Sequence, residues 1–246
     1  MAKHQFGLVG KNISYSFSRD YFGEKFQKLN LVDYSYENLD FQKIEEFPEF
    51  IKKNRILSGL NVTIPYKEAI IPYLDKLSKK AAEIGAVNTI KITKSGKLKG
   101  YNTDHFGFKK SLEPILNTNH KKALILGTGG ASKAVAYALK QLGIPFLYVS
   151  RNADINTIGY NQLNKNTFKE FQIIVNCTPV GTSPNIDSCL DIPYEYFTKN
   201  HIAFDLIYNP AETMFLKKAK EQGSTIKNGM EMLALQAEKS WEIWSK

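Results

Sequence analysis

The sequence predicts an α/β protein built from two domains. Apolar, strand-like runs alternate with helix-period patterns along the chain, and 246 residues are enough for two small domains. In the second half, strands are expected at residues 123–126, 146–150, 173–177 and 202–206. Because helices alternate with these strands, we expect a parallel sheet with right-handed crossovers.

The first half also alternates strands and helices. Strands are expected at residues 5–10, 33–39 and 60–64, and a hairpin at 86–93 and 98–101. Helices are expected after Ser18, over 41–54 with an interruption near Pro48, and over 78–85. A linking helix at 104–116 and a final helix at 230–244 complete the prediction.

A glycine-rich junction begins the second half. The apolar run 123–126 leads into Gly127, Gly129, Gly130, Ala131 and Ser132, and a helical pattern follows at once. Closely spaced glycines let the backbone approach a ligand, and the N–H groups of a helix start can bind a phosphate. The pattern is typical of the first βα turn of a dinucleotide-binding fold, although any tight βα turn could use similar glycines.

The end of the next predicted strand indicates which dinucleotide this fold would bind. The strand runs into Ser150, Arg151 and Asn152, where NAD-binding proteins carry an acidic residue for the ribose 2′-hydroxyl. Arginine is the residue type that accommodates a 2′-phosphate, so this site favours NADP over NAD. The alternative is that Arg151 is only a solvated charge at a strand end.

Composition narrows the class of protein. The hydrophobic content of 43% is typical of a globular chain, and no apolar run reaches the length of a membrane helix. The net charge of +9 comes from scattered lysines, which favours a basic surface over a nucleic-acid-binding stripe. Without a signal-peptide pattern or a metal-binding pattern of cysteines, we expect a cytoplasmic protein with no metal, no membrane and no nucleic-acid partner.

Polar clusters near predicted turns are candidate substrate contacts in the first half. They lie at residues 14–18, 61–67, 86–89 and 100–104. Each has a simpler explanation when taken alone: Ser18 as a helix N-cap, Asn61 as a turn former and Lys67 as a surface lysine.

Taken together, these segments resemble the shikimate dehydrogenase family over nearly the whole chain. The matching segments, in the family's order and spacing, are residues 16–18, 61–67, 85–89, 102–104, 127–132, 176–181 and 229–233 with Gln236. The resemblance implies reversible, NADP-linked reduction of 3-dehydroshikimate to shikimate in aromatic amino-acid and chorismate biosynthesis. It also implies a small-molecule substrate and a monomer or homodimer.

The resemblance also implies a domain arrangement. Residues 1–103 with 230–246 would form an N-terminal α/β substrate domain. Residues 104–229 would form a C-terminal Rossmann-type dinucleotide-binding domain, with the active site in the cleft between the two.

By the same resemblance, Lys67 and Asp104 would be the catalytic pair. A lysine held by a carboxylate can stabilise the developing alkoxide and transfer a proton to it; the sequence leaves open which role Lys67 has. Ser16 and Ser18 would contact the substrate carboxylate, and Gly229 and Met232 would approach the nicotinamide. Ring hydroxyls or the carboxylate would be bound by Asn61, Thr63, Asn88, Tyr208 and Gln236.

The chain departs from the family pattern in several places. Tyr15 replaces the usual histidine, and Arg19 replaces the usual proline. After Arg151, the family's second arginine is missing and Asp154 adds a carboxylate, which predicts a weaker preference for NADP. The alternatives are a quinate/shikimate dehydrogenase with relaxed cofactor use, or a non-catalytic NADP-binding regulator of the same fold.

Overall fold

A computed structural model of the chain describes residues 4–13 and 16–246. The chain forms two compact units. The first comprises Met1–Thr103 and Ala237–Lys246, and the second comprises Asp104–Gln236. Each unit combines a six-stranded sheet with helices, so the predicted α/β class is confirmed.

The described residues contain twelve strands and nine α-helices. The strands are β1 (His4–Gly10), β2 (Tyr34–Asp40), β3 (Leu57–Val62), β4 (Lys76–Leu77), β5 (Thr89–Ile92), β6 (Leu98–Tyr101), β7 (Ala123–Leu126), β8 (Phe146–Ser150), β9 (Thr157–Gly159), β10 (Ile173–Asn176), β11 (Ile202–Asp205) and β12 (Thr225–Lys227). The helices are α1 (Phe17–Lys28), α2 (Phe47–Lys53), α3 (Tyr66–Ala69), α4 (Lys79–Ile84), α5 (Asp104–Leu112), α6 (Gly130–Gln141), α7 (Lys165–Glu170), α8 (Met214–Glu221) and α9 (Met230–Trp244).

The sheet of the first unit is mixed, with the strand order β2-β1-β3-β5-β6-β4. Strand β1 lies between β2 and β3 and is parallel to both. The predicted hairpin is confirmed, because β5 and β6 pair antiparallel. The chain first extends the sheet on one side of β1 and then on the other. The border between β1 and β3 is therefore a topological switch point, where open α/β sheets bind ligands.

The last helix packs on the first unit through aromatic side chains. Trp244 lies against Phe6 and Phe22, with ring centroids 4.9 and 5.3 Å away, and its Nε1 donates to the Ile90 carbonyl. Lys25 donates to the carboxylate of Glu238 at 2.7 and 2.8 Å, which ties α1 to α9. The C-terminal part of the chain is thus built into the N-terminal unit.

The sheet of the second unit is wholly parallel, as predicted, with the order β12-β11-β10-β7-β8-β9. Its central strands β7, β10 and β11 are buried along their full length, as expected for strands covered by helices on both faces. From β7 the chain runs to β8 and β9, and then crosses to β10 on the other side. The second switch point therefore lies between β7 and β10.

Several predicted boundaries differ from the observed ones. The strand expected at 60–64 is Leu57–Val62, and Pro48 lies in the first turn of α2 instead of interrupting a longer helix. Proline lacks an N–H donor and is tolerated in the first helical turn, where that donor has no partner within the helix. No helix in the described part of the chain combines the length and the apolar character needed to cross a bilayer.

Candidate active site

The loop after β3 positions Lys67. Thr63 donates its N–H to the Val9 carbonyl at 2.8 Å, which fixes the loop beside the end of β1. Lys67 then lies in the single turn of α3, where the buried Tyr66 hydroxyl donates to the Phe41 carbonyl at 2.6 Å. The Lys67 carbonyl accepts from Val87 N–H at 2.7 Å. Backbone and tyrosine contacts thus anchor this turn, and Thr63 and Lys67 are half-buried at the switch point.

The two predicted substrate serines lie at the start of α1 and are both buried. Ser16 is the N-cap: its backbone is extended and its Oγ accepts from Arg19 N–H at 3.3 Å. The N-cap interpretation of Ser18 is therefore wrong, because Ser18 is already inside the helix. Its hydroxyl instead makes a hydrogen bond to Tyr36. Tyr15 lies outside the described residues.

Asn61 and Asn88 belong to one buried hydrogen-bond network. Asn61 Nδ2 donates to the Asn88 carbonyl at 3.1 Å. Asn88 Oδ1 accepts from Thr103 N–H at 2.6 Å, and its Nδ2 donates to Thr103 Oγ1 at 2.9 Å. All three side chains are almost fully buried. Of the predicted substrate residues, the structure thus connects Asn61 with Asn88 directly, and Ser18 with Asn61 through Tyr36.

The remaining predicted substrate and catalytic residues lie in the second unit. Asp104 is the first residue of α5 and is buried. Tyr208 follows β11 and is half-buried. Gln236 is buried in α9, where its Nε2 donates to the Leu233 carbonyl at 2.9 Å.

The glycine-rich loop after β7 has the geometry of a phosphate-binding turn. Gly127 has a φ of 100°, in the left-handed region that favours glycine. A Cβ there would lie 2.9 Å from Thr178 Cγ2, a residue of the loop after β10. Gly129 is the N-cap of α6 and has no side-chain cap, and a Cβ there would meet nothing within 4 Å. Gly130 and Ala131 form the first turn of α6, so the open helix start suits an anion.

Ser132 occupies the third fingerprint position, where glycine or alanine is usual. Its side chain is fully buried, and its Oγ donates to the Gly129 carbonyl at 2.6 Å. The small hydroxyl therefore fits this position and holds the turn.

Arg151 lies on an exposed turn after β8. Ser150 Oγ accepts from Asn152 N–H at 3.2 Å, which shapes the turn, and Arg151 and Asn152 are exposed. Arg151 lies close enough to Tyr160 that its charge lowers the tyrosine pKa, although burial raises that pKa overall. Asp154 has a local role: its Oδ1 accepts from Asn156 N–H at 2.8 Å and from the Thr157 hydroxyl at 3.0 Å.

Gly229 and Met232 have structural roles of their own. A Cβ on Gly229 would lie 2.1 Å from the Leu206 carbonyl oxygen, so only glycine fits there. Met232 is buried in the core of the second unit, and its carbonyl lies 2.4 Å from where a Gly107 Cβ would be. These contacts explain both residues through packing, and their approach to a nicotinamide remains a prediction.

A buried carboxylate that the sequence did not predict connects the end of β10 with the loop after β11, next to the second switch point. Asp205, at the end of β11, accepts from Asn176 Nδ2 at 3.0 Å, from Ile207 N–H at 3.0 Å and from the Thr213 hydroxyl at 2.6 Å. Asn176 in turn accepts from Thr178 N–H at 2.9 Å. Burial raises the pKa of Asp205 to about 6, against a lowering by these hydrogen bonds. The available signal was an aspartate at the end of an apolar strand, just before Tyr208.

The fold and these two sites define a protein with a parallel, dinucleotide-type unit and a second α/β unit that offers neutral polar side chains. Comparison with known proteins agrees. Residues 8–90 match the family model described as shikimate dehydrogenase substrate binding domain. A shikimate dehydrogenase (NADP⁺) of Clostridium botulinum is 40% identical over 248 residues, covering 97% of this chain and 95% of that protein. The chain therefore belongs to the shikimate dehydrogenase family.

Solved structures show the same similarity along the whole chain. A shikimate 5-dehydrogenase of Thermus thermophilus, in complex with NADP(H) and shikimate, superposes with a TM-score of 0.87 at 31% identity, covering 100% of this chain and 94% of that one. A quinate dehydrogenase of Corynebacterium glutamicum, in complex with NAD, superposes with a TM-score of 0.84 at 25% identity, covering 98% and 93%.

Proposed function

We propose that this chain catalyses the reversible, NADP-linked reduction of 3-dehydroshikimate to shikimate. The observation that carries the proposal is the 40% identity to a shikimate dehydrogenase (NADP⁺) across 97% of the chain. The geometry supports it, because each switch point carries groups suited to one of the two ligands. Hydroxyl and amide side chains of the first unit suit a polyhydroxylated carboxylate, and the glycine loop of the second suits a pyrophosphate.

The second unit fits the cofactor. Gly127 would leave no room for a side chain beside Thr178, and the start of α6 lacks a side-chain cap. The pyrophosphate would be held by the backbone from Gly127 to Ser132, and Arg151 would meet the 2′-phosphate. When bound, NADP(H) supplies or accepts the hydride.

Residues of the chain would then stabilise the negative charge that develops on the substrate oxygen. We assign the catalytic pair to Lys67 and Asp104. An ammonium group at that oxygen stabilises the alkoxide that develops during reduction, and a positioned lysine can also transfer the proton. Asp104 would orient the lysine. Ser16 and Ser18 would bind the carboxylate, while ring hydroxyls would meet the amides and hydroxyls of Asn61, Thr63, Asn88, Tyr208 and Gln236.

The rest of the assignment follows from the same function. Residues 1–103 with 230–246 would form the substrate domain, and residues 104–229 the NADP domain. We further propose a cytoplasmic enzyme, monomeric or homodimeric, with no nucleic-acid partner, since the lysines are scattered and do not form one stripe.

A second candidate is a quinate/shikimate dehydrogenase with relaxed cofactor choice. It is favoured by the structural match to a quinate dehydrogenase in complex with NAD and by the single arginine after β8. The third, a non-catalytic regulator of the same fold, would have no need for both Lys67 and Asp104.

The test is oxidation of shikimate and of quinate by the purified protein, each with NADP⁺ and with NAD⁺. The proposal expects the highest kcat/KM with shikimate and NADP⁺. A higher kcat/KM with quinate or with NAD⁺ would favour the second candidate. Binding of NADP⁺ without turnover of either substrate would favour the regulator.

A further inference from the structure

Contacts within the first unit use almost all the hydrogen-bonding groups of the Asn61 side-chain amide. Its Nδ2 donates to the Asn88 carbonyl at 3.1 Å and to Ser240 Oγ at 3.1 Å, with a longer contact of 3.4 Å to Thr89 Oγ1. An amide nitrogen has two hydrogens, so these contacts use both of them. Asn61 Oδ1 accepts from the Tyr36 hydroxyl at 2.8 Å, which leaves one of its two lone pairs.

Tyr36 determines which way this amide faces. Its side chain is 7% exposed and stacks on Phe22 with ring centroids 4.8 Å apart. Burial raises the pKa of Tyr36, against a smaller lowering by the hydrogen bond from Ser18, so the phenol remains a donor. If the amide flipped, the Tyr36 hydroxyl would face an N–H group, and a buried donor would lose its acceptor.

Ser240 contacts the amide nitrogen on the other side. It lies in α9, is fully buried and also contacts Thr89 Oγ1 at 2.8 Å and Thr103 Oγ1 at 3.2 Å. Its oxygen accepts from Asn61 Nδ2. The Asn88 carbonyl, which can only accept, and the Tyr36 hydroxyl thus favour the same amide orientation from opposite ends of the side chain. Ser240 stabilises that orientation by accepting from Nδ2.

We propose that Tyr36 and Ser240 are positioning residues that hold Asn61 as a hydrogen-bond acceptor, so that its Oδ1 selects a hydroxyl group of the substrate. The inference rests on the proposed function, because it takes Asn61 to face shikimate. Asn61 can then accept from a substrate O–H but has no N–H left to donate. A substrate with a keto or ether oxygen at that position would be rejected, because its oxygen would face another acceptor.

The test compares Tyr36→Phe and Ser240→Ala with the wild type on three substrates. These are shikimate, 4-deoxyshikimate and 5-deoxyshikimate, which all keep the hydroxyl at C3 that the reaction oxidises. Matched controls are Tyr34→Phe, on the same strand, and Ser245→Ala, just after α9. Thermal unfolding and the Kd for NADP⁺ are measured for every variant.

Each of the two variants should raise KM for shikimate about 3- to 10-fold, the range for one weakened hydrogen bond, with little change in kcat. One deoxy analogue, which lacks the hydroxyl that Asn61 accepts from, should show the same KM with variant and wild type. The controls and the Kd for NADP⁺ should not change. Two variants are used so that Ser240→Ala still tests the inference if Tyr36→Phe fails to fold.

The outcomes distinguish failure of this inference from failure of the proposed function. An unchanged KM for shikimate in both variants, or an equal rise with all three substrates, would overturn the inference and leave the proposed function intact. A wild-type protein that does not oxidise shikimate at all would overturn the proposed function, and this inference with it.

Discussion

At both switch points of this chain two loops approach each other closely, but the groups that they present to a ligand differ. Gly10 is the last residue of β1 and Gly127 comes directly after β7, and each lies close to a threonine in the loop after the neighbouring strand. A Cβ on Gly10 would lie 2.6 Å from Thr63 Cγ2, and a Cβ on Gly127 would lie 2.9 Å from Thr178 Cγ2. The close approach of two loops at the carboxyl edge of the sheet thus occurs in both units.

Apart from this close approach, the first unit presents side chains to a ligand, whereas the second presents backbone N–H groups. Around β1 and β3 the groups are neutral hydroxyls and amides that hydrogen bond to one another, together with Lys67. Around β7 and β10 they are the N–H groups of a glycine loop, and one buried carboxylate, Asp205, holds the neighbouring loops. The difference suits the two proposed ligands: substrate hydroxyls need donors and acceptors at defined atoms, whereas a pyrophosphate needs several N–H groups.

The largest effect is expected at Lys67, the charged group of the first site. In Lys67→Ala, kcat should fall about 10²–10⁴-fold, the range for loss of proton transfer. The decrease of kcat in Asp104→Ala should lie within the same range. The Kd for NADP⁺ should stay near the wild-type value, because the glycine loop is unchanged. Steady-state kinetics and cofactor titration measure both quantities.

The control for Lys67→Ala is Lys79→Ala, which removes an exposed lysine from α4 of the same unit. Near-normal kcat in Lys67→Ala would contradict the catalytic role. Equal losses in both lysine variants would indicate a general effect of charge.

The next effect concerns pH and the carboxylate of the second site. The pKa of Asp205 is raised from 3.8 to about 6, so the folded state binds this proton more tightly than the unfolded state does. Its contribution to stability is complete below about pH 4 and is lost as the pH rises through 6, by on the order of 3 kcal/mol. Asp205→Asn removes this titration but keeps a hydrogen-bonding side chain. Urea unfolding at several pH values measures the difference.

Relative to the wild type, Asp205→Asn should therefore gain stability as the pH rises from 4 to 7. The first unit provides the contrast, since Asn61→Ser removes no titrating group and its stability difference should not vary with pH. A pH-independent difference for Asp205→Asn would show that its pKa is not raised.

The sequence predicted the second unit better than the first for a physical reason. Strands buried on both faces form continuous apolar runs, and β7 and β8 lie within the predicted bounds. The three-residue strands β9 and β12 are too short for a periodic signal.

The local motifs of the site could be read from the sequence, but the residues that hold them could not. Tyr36 and Asn61 lie 25 positions apart, and Asn61 and Ser240 lie 179 apart. A tyrosine in a strand and a serine in a helix are ordinary in such patterns. Only the tertiary structure brings these side chains together.

A smaller effect is expected at Arg151, which we propose as the main side-chain contribution to cofactor choice. Arg151→Ala should weaken the binding of NADP⁺ by about 2 kcal/mol, within the range for charge-assisted hydrogen bonds. It should change the binding of NAD⁺ little. Cofactor titration measures both values. Lys199→Ala, which removes a charge before β11, is the control and should leave both unchanged.

Asp154 refines the same prediction. Its Oδ1 is used by the turn, but its charge would still repel a 2′-phosphate. Asp154→Asn keeps the acceptor oxygen, so it should raise the preference for NADP⁺ over NAD⁺. An equal loss of both cofactors in Arg151→Ala would make Arg151 a structural residue.

The last prediction concerns the paired glycines, which test directly whether the two sites are equivalent. Gly10→Ala and Gly127→Ala should each cost about 1–3 kcal/mol of stability by overpacking against a threonine methyl. Gly10→Ala should raise KM for shikimate and leave the Kd for NADP⁺ unchanged, whereas Gly127→Ala should weaken NADP⁺.

Removal of the threonine methyl groups then separates crowding from backbone strain. Thr63→Ser removes the 2.6 Å contact and should restore part of the stability lost in Gly10→Ala, because Gly10 does not have a positive φ and what remains is a 2.8 Å contact with Ile13 Cγ2. Thr178→Ser should restore less in Gly127→Ala, since a φ of 100° disfavours any side chain. Thermal unfolding of the two double variants measures this. Equal recovery in both would mean that the two glycines serve only to avoid the threonine methyl groups, and that the left-handed backbone at Gly127 adds nothing.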